Sequence, residues 1–163
     1  MKILSIFLLS LNLISTSACL PEKNQEEGTT EAVSAISISD AYAFETMPGD
    51  STAAAFMKIQ NIGDEDDTLI SARAKISSIT EIHENMIDPD DGTMMMRKIK
   101  SLSAPVEETV ILEPKGYHIM FIKLRDSLTI GSSFPLTLNF EKAGQQDVNV
   151  KVIAPGATYT GDE

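Results

Sequence analysis

Apolar and polar residues alternate with a period of two along most of this chain, and that is the repeat of a β-strand. The clearest runs are 135–141, with Leu136, Leu138 and Phe140, and 147–153, with Val148, Val150 and Val152. Residues 116–124 put Tyr117, Ile119 and Phe121 on one face and His118, Met120 and Ile122 on the other. In 33–39, Ile36 and Ile38 alternate against serines, and in 41–46 Tyr42 and Phe44 share a face. Residues 68–74, 78–83 and 93–100 read as further strands, and 109–112 as a short edge strand. Residues 53–60 could be helical by propensity, but their length and neighbours favour a strand. Met-Pro-Gly-Asp at 47–50 and Asp-Pro-Asp-Asp-Gly at 88–92 have turn chemistry: proline sets φ and glycine permits positive φ. About nine strands with closely spaced turns and no amphipathic helix predict an all-β antiparallel sandwich or barrel.

Two segments stand outside this pattern. Residues 1–18 combine Lys2, an apolar run from Ile3 to Ile14 and the small residues Ser15-Thr16-Ser17-Ala18 before Cys19. This is the layout of an export signal. A lone cysteine behind small residues fits the lipoprotein cleavage box, in which Cys19 becomes the lipidated first residue. Thr16 stands where that box usually has leucine. The apolar run is shorter than a membrane span, which needs roughly 17–25 residues. Residues 19–32 carry little to bury and read as a flexible tether. The domain is expected over 33–155, with a polar tail at 156–163.

Composition narrows the class. The net charge is −11, which argues against nucleic acid. The single cysteine forbids an intramolecular disulfide. The run Asn61-Ile-Gly-Asp-Glu-Asp-Asp67 lacks calcium-loop spacing and reads as a solvated turn, and the 88–92 turn lacks the terminal Glu of an EF-hand. No Ser-His-Asp, Cys-His or paired-carboxylate arrangement is present, so an enzyme is not expected.

The chemistry-bearing residues concentrate between His83 and Met120. Both histidines, His83 and His118, lie there with five of the eight methionines: Met86, Met94, Met95, Met96 and Met120. In His118-Ile119-Met120 the imidazole and thioether point the same way on a strand. His83, at the end of the 78–83 strand, can join them if those strands are neighbours, and Met94 or Met96 can complete a set of two nitrogens and two sulfurs. Thioether suits Cu(I) and serves Zn²⁺, Mg²⁺ and Ca²⁺ poorly. Blue-copper electron transfer would need a cysteine thiolate that the window lacks. The competing reading makes the methionines core filler and the histidines structural.

Over about residues 41–152 the chain resembles the periplasmic copper chaperones of the PCu(A)C family. The resemblance rests on Glu81-Ile-His83-Glu84, on Met96 before Arg97, and on Gly116-Tyr-His118-Ile-Met120-Phe121. Supporting stretches are 61–67 and Phe134-Pro-Leu-Thr-Leu-Asn-Phe-Glu-Lys-Ala-Gly144. The family signature is His, ten residues, Met, twenty-one residues, then His-x-Met. Residues 97–117 supply the twenty-one, while the first gap, 84–95, is twelve. A longer turn at 88–92 accounts for the difference, since a hairpin tip accepts insertions without moving its strands. Counting ten from His83 selects Met94 instead.

The resemblance implies a cupredoxin-like antiparallel β-sandwich of Greek-key type. It implies Cu(I) as cargo, with His83, Met96, His118 and Met120 as ligands, and leaves Met94 as an alternative and Met86 as an auxiliary donor. It further implies an extracytoplasmic or periplasmic carrier that serves the copper centre of cytochrome c oxidase alongside Sco-type proteins, and the cleavage box before Cys19 adds the expectation of a lipid anchor there. A periplasmic copper buffer for tolerance, or a surface lipoprotein that uses the sandwich for protein contact, are the alternatives.

Overall fold

The computed structural model describes residues 35–159 and Gly161, so the leader at 1–18, Cys19 and the tether at 19–32 lie outside the described residues. The described chain forms ten strands and no helix. They are β1 (Ile36–Phe44), β2 (Thr52–Asn61), β3 (Asp67–Ala74), β4 (Ser77–Ile87), β5 (Met94–Ile99), β6 (Leu102–Ala104), β7 (Thr109–Leu112), β8 (Tyr117–Leu124), β9 (Ser133–Phe140) and β10 (Gln145–Ile153).

Hydrogen bonding links them in the order β5-β4-β8-β7-β2-β1-β10-β9-β3-β6, and β8 also pairs β2 directly. This ladder folds over onto itself. Phe121 of β8 and Phe134 of β9 are separated along the ladder by β2, β1 and β10, yet their rings meet edge to face at 5.4 Å. The Asn61 amide of β2 donates to the Ala104 carbonyl of β6, at the ladder's far end, at 2.8 Å. The result is the expected all-β, cupredoxin-like sandwich. Its core is filled by the alternation read above: Phe134, Leu136, Leu138 and Phe140 from β9, Val150 and Val152 from β10, and Ile119 and Phe121 from β8. Burial of such faces is the dominant stabilising term in a chain without staples.

Three details differ from expectation. The sheet is not purely antiparallel, because β1 runs parallel to β10 and β7 touches β8 in parallel through Leu112 and Tyr117. The stretches 33–39 and 41–46 are one strand, β1, whose register against β2 shifts between Ser39 and Tyr42. Asp40 sits there at φ 53°, and the extra residue inverts the alternation: Ile36 is buried before it, Ala41 and Ala43 after it. Finally, the ends of the 61–67 loop are not solvated. Asn61 and Asp67 are buried. The Asp67 carboxylate accepts backbone N–H groups from Thr68 at 2.7 Å and from Lys142 and Ala143 at 2.9 Å each. Burial alone would raise its pKa, but these three donors outweigh burial and hold it below the ordinary carboxylate value.

Beyond β10, Tyr159 of the expected tail packs its ring on Tyr42 at 5.8 Å. Tyr42 in turn stacks on Phe56 at 5.2 Å, which continues an aromatic row along the outer face of β1 and β2.

Candidate metal centre

Strand register assembles this centre. β4 and β8 run antiparallel with His83 directly opposite His118 and Glu81 directly opposite Met120. On β4, Ile82 points into the core, so Glu81 and His83 face outward. On β8, Ile119 and Phe121 are fully buried, so His118 and Met120 take the opposite, outer face. On the other side of β4, Met96 of β5 stands opposite Asn85, the next outward residue after His83. The two imidazole rings are 5.7 Å apart. Met96, His118 and Met120 line one cavity of about 250 Å³, together with Phe56, Asn85 and Pro114. One outer patch of the β5–β4–β8 ribbon therefore holds all four side chains.

The patch is sheltered beneath and open at its rim. His118 is 2% exposed although it faces away from the core, because the Phe56 ring of β2 covers it at 6.4 Å. Met96, on edge strand β5, is 52% exposed.

Hydrogen bonding fixes which ring nitrogens remain free. His118 Nδ1–H donates to the Gly116 carbonyl at 3.1 Å, and a carbonyl can only accept, so in the neutral ring Nε2 carries the lone pair. Burial lowers the pKa of His118 more than this hydrogen bond raises it, and the neighbouring His83 lowers it further. The ring is neutral at pH 7. His83 Nε2 lies 2.9 Å from Glu81 Oε2, while Lys98 Nζ donates to Glu81 Oε1 at 2.8 Å. The His83 hydrogen bond, and then that from Lys98, hold the Glu81 carboxyl below its ordinary pKa, so it is ionised and accepts. In the neutral His83 ring the proton is thus on Nε2 and the lone pair on Nδ1. Among the described residues, the buried side-chain nitrogens and oxygens without a hydrogen-bond partner are His83 Nδ1 and His118 Nε2. Buried polar atoms are normally satisfied, and a buried imidazole lone pair that accepts no hydrogen bond is available to a metal ion.

Among the described residues no three His, Cys, Asp or Glu side chains gather where they could hold a metal ion. The thioethers of Met96 and Met120 are soft donors that share the patch with the two imidazoles. That donor set fits a soft monovalent ion.

The other sequence candidates fall as follows. Met94 pairs with Ile87 at the hairpin end, on the same face as Met96 but one step further from the histidines, and is 61% exposed. Met86 pairs with Met95 on the opposite face of the ribbon, so it is not brought to the histidine pair. The 88–93 loop joins the paired residues Ile87 and Met94. Asp88 N–H donates to the Thr93 carbonyl at 2.7 Å, and Gly92 takes φ 75°. The longer spacing between His83 and Met96 thus spans a hairpin end that leaves the β4–β5 register intact. Cys19 lies outside the described residues. Sequence reasoning gave no role to Glu81 or Phe56. Glu81 was visible as the residue two before His83 on its face, whereas Phe56 arrives by long-range pairing of β2 and left no local signal.

Comparison with known proteins places the fold and the family. The model of the family described as "LpqE-like: Putative lipoprotein LpqE-like" matches residues 36–152. The "Putative lipoprotein Lxx21020" of Leifsonia xyli subsp. xyli (strain CTCB07) is 27% identical over 143 residues, covering 87% of this chain and 82% of that protein. Among solved structures, the copper-bound PCuAC domain from PmoF2 is similar with a TM-score of 0.64 at 23% identity, over 76% of this chain and 97% of that one. The apo PmoF2 PCuAC domain has a TM-score of 0.63 at 25% identity, over 79% and 98%. The CuI-DR1885 solution structure from Deinococcus radiodurans has a TM-score of 0.60 at 20% identity, over 81% and 87%. The fold is that of PCuAC domains, and the chain belongs to the LpqE-like family.

Proposed function

We propose that this LpqE-like chain is a copper carrier that holds Cu(I) between His83 Nδ1, His118 Nε2 and the thioethers of Met96 and Met120. The observation that carries the reading is the pair of orphaned, buried imidazole nitrogens on one outer face, with two methionines of that face beside them. Purely structural histidines would be expected to satisfy both ring nitrogens. Neutral imidazole and thioether ligands favour the reduced ion and need no thiolate. The mostly exposed Met96 leaves one side of the site open, so an acceptor's ligands can replace the four donors in turn.

The lipoprotein descriptions of the family and of the Leifsonia xyli relative support an extracytoplasmic place of action, with the lipid carried at Cys19. In that compartment the acceptor we infer is the copper centre of cytochrome c oxidase during its assembly, with Sco-type proteins as co-workers. Anaerobic titration of the full chain with Cu(I) against a competing chromogenic chelator tests the reading. One equivalent bound in competition, and lost in His83→Ala and His118→Ala, is the expected result. No withdrawal of copper from the chelator would refute it. The oxidase step is tested separately: deletion should lower oxidase activity when copper is scarce, with restoration by added copper. Killing of the deletion strain by excess copper, with normal oxidase, would point to a tolerance buffer instead.

A further inference from the structure

Where β3 turns into β4, the surface holds a cavity of about 510 Å³, twice the volume of the one lined by Met96, His118 and Met120, with which it shares no lining residue. Arg73 of β3, Lys75 of the turn and Arg125 just after β8 line it, and no aspartate or glutamate does. Ser71, Ser78 and Asn139 add neutral donors to its wall. Register holds the parts in place: Arg73 lies opposite Thr137 and Ser71 opposite Asn139 across the β3–β9 pair. Arg125 is tied to the turn by its backbone N–H, which donates to the Ile76 carbonyl at 2.8 Å.

The charge is what makes this cavity unusual. The whole chain carries −11. Among the described residues Arg73, Lys75 and Arg125 form no ion pair, as is also true of Lys100, Lys115 and Lys123, while Lys58, Arg97, Lys98 and Lys142 each have a carboxylate partner; what sets Arg73, Lys75 and Arg125 apart is that they line one cavity. Asp147 stands across β9 opposite Thr137, but it accepts that residue's hydroxyl at 2.6 Å and does not line the cavity. A single unpaired surface cation is ordinary. Three that line one concave wall without an acidic residue repel one another, even though Lys75 and Arg125 also border an adjoining cavity that includes Asp126, and an anion relieves that repulsion.

We propose that this cavity binds a phosphate group. One planar carboxylate is saturated by a single bidentate arginine. Three cations from separate elements, with hydroxyl and amide donors between them, match the several oxygens and higher charge of a tetrahedral phosphate. The group can come from free phosphate or from the headgroup of an anionic phospholipid, which a membrane-anchored chain would meet constantly.

The test has two arms, both on the full chain at low ionic strength. In the first, inorganic phosphate is titrated while the Arg73 and Arg125 side-chain N–H signals are followed by NMR, with acetate as the carboxylate control. Saturable shifts with phosphate and much weaker ones with acetate are expected. The double variant Arg73→Gln/Arg125→Gln should bind at least roughly tenfold more weakly, as loss of charge-assisted hydrogen bonds requires, while its Cu(I) titration stays native and so reports correct folding. In the second arm, native and double-variant chains are sedimented with vesicles of phosphatidylcholine alone or mixed with phosphatidylglycerol. Greater binding of the native chain to the anionic vesicles alone identifies the headgroup as the source. Phosphate binding without that difference identifies the free ion. The proposal is overturned if native and variant chains behave alike in both arms, or if acetate binds as well as phosphate.

Discussion

Replacing His118 with leucine should stabilise the copper-free protein while abolishing copper binding. His118 Nε2 is buried without a partner, and an unsatisfied buried acceptor costs about 1–3 kcal/mol. Against this stands the Nδ1–H bond to Gly116, worth about 1 kcal/mol net. Its removal orphans nothing, because the Gly116 carbonyl still accepts the Asn85 backbone N–H at 3.1 Å. Leucine is close to histidine in size and would fill the space under Phe56 with apolar surface. The balance is a gain of roughly 1 kcal/mol, or about 4 °C in Tm for a domain of this size. Thermal unfolding followed by circular dichroism, with a Cu(I) chelator and then with one equivalent of Cu(I), measures both halves. The native chain should gain Tm on adding copper, as any ligand of the folded state confers, and His118→Leu should not. A variant that loses about 2 kcal/mol or more without copper, on the scale of a broken buried hydrogen-bond network, would show that the histidine is there for the fold. So would a copper-dependent rise in Tm that survives the substitution.

Met96→Leu should weaken Cu(I) binding in chelator competition, whereas Met94→Leu should leave it unchanged, because only Met96 lines the cavity with His118 and Met120. Glu81→Leu removes the acceptor that keeps the His83 proton on Nε2. It should cost roughly ten- to a hundredfold in copper affinity, with a mixture of His83 tautomers by NMR, and Glu81→Gln, which keeps an acceptor oxygen, should recover part of the loss. Asp67→Asn should destabilise the fold by about 2 kcal/mol in urea unfolding, because one of the oxygens that accept backbone N–H groups becomes a donor. The folded-state pKa of Asp67 lies below its ordinary 3.8, so its contribution is complete above that pH and is lost as pH falls through the folded value. Stability measured across the acid range should therefore fall less steeply in Asp67→Asn than in the native chain.

What could be read from the chain depended on how local the cause was. β9 and β10 were legible because one face of each is buried, which imposes a period of two on Leu136, Leu138 and Phe140 and on Val150 and Val152. β6 was not, because Leu102–Ala104 is too short to show a period. The bulge at Asp40 divided β1 into two apparent strands by inverting the phase of its apolar residues. Asp67 looked like part of a solvated acidic loop because its donors, Lys142 and Ala143, are some 75 residues away. The same contrast runs through the metal centre. His118 and Met120 share a face by local periodicity alone. That His83 lies opposite His118 is a matter of register between β4 and β8, which spacing suggested only through a resemblance. The shelter provided by Phe56 depends on β2 lying beside β8, and no residue near the histidines encodes that.

The most direct test of the central claim is X-ray absorption at the copper edge of the full chain loaded with one equivalent of Cu(I). Two sulfurs and two imidazole nitrogens are expected around the copper, with one sulfur lost in Met96→Leu. A shell of nitrogen and oxygen alone, or one unchanged by substitution at Met96, His118 and Met120, would contradict it.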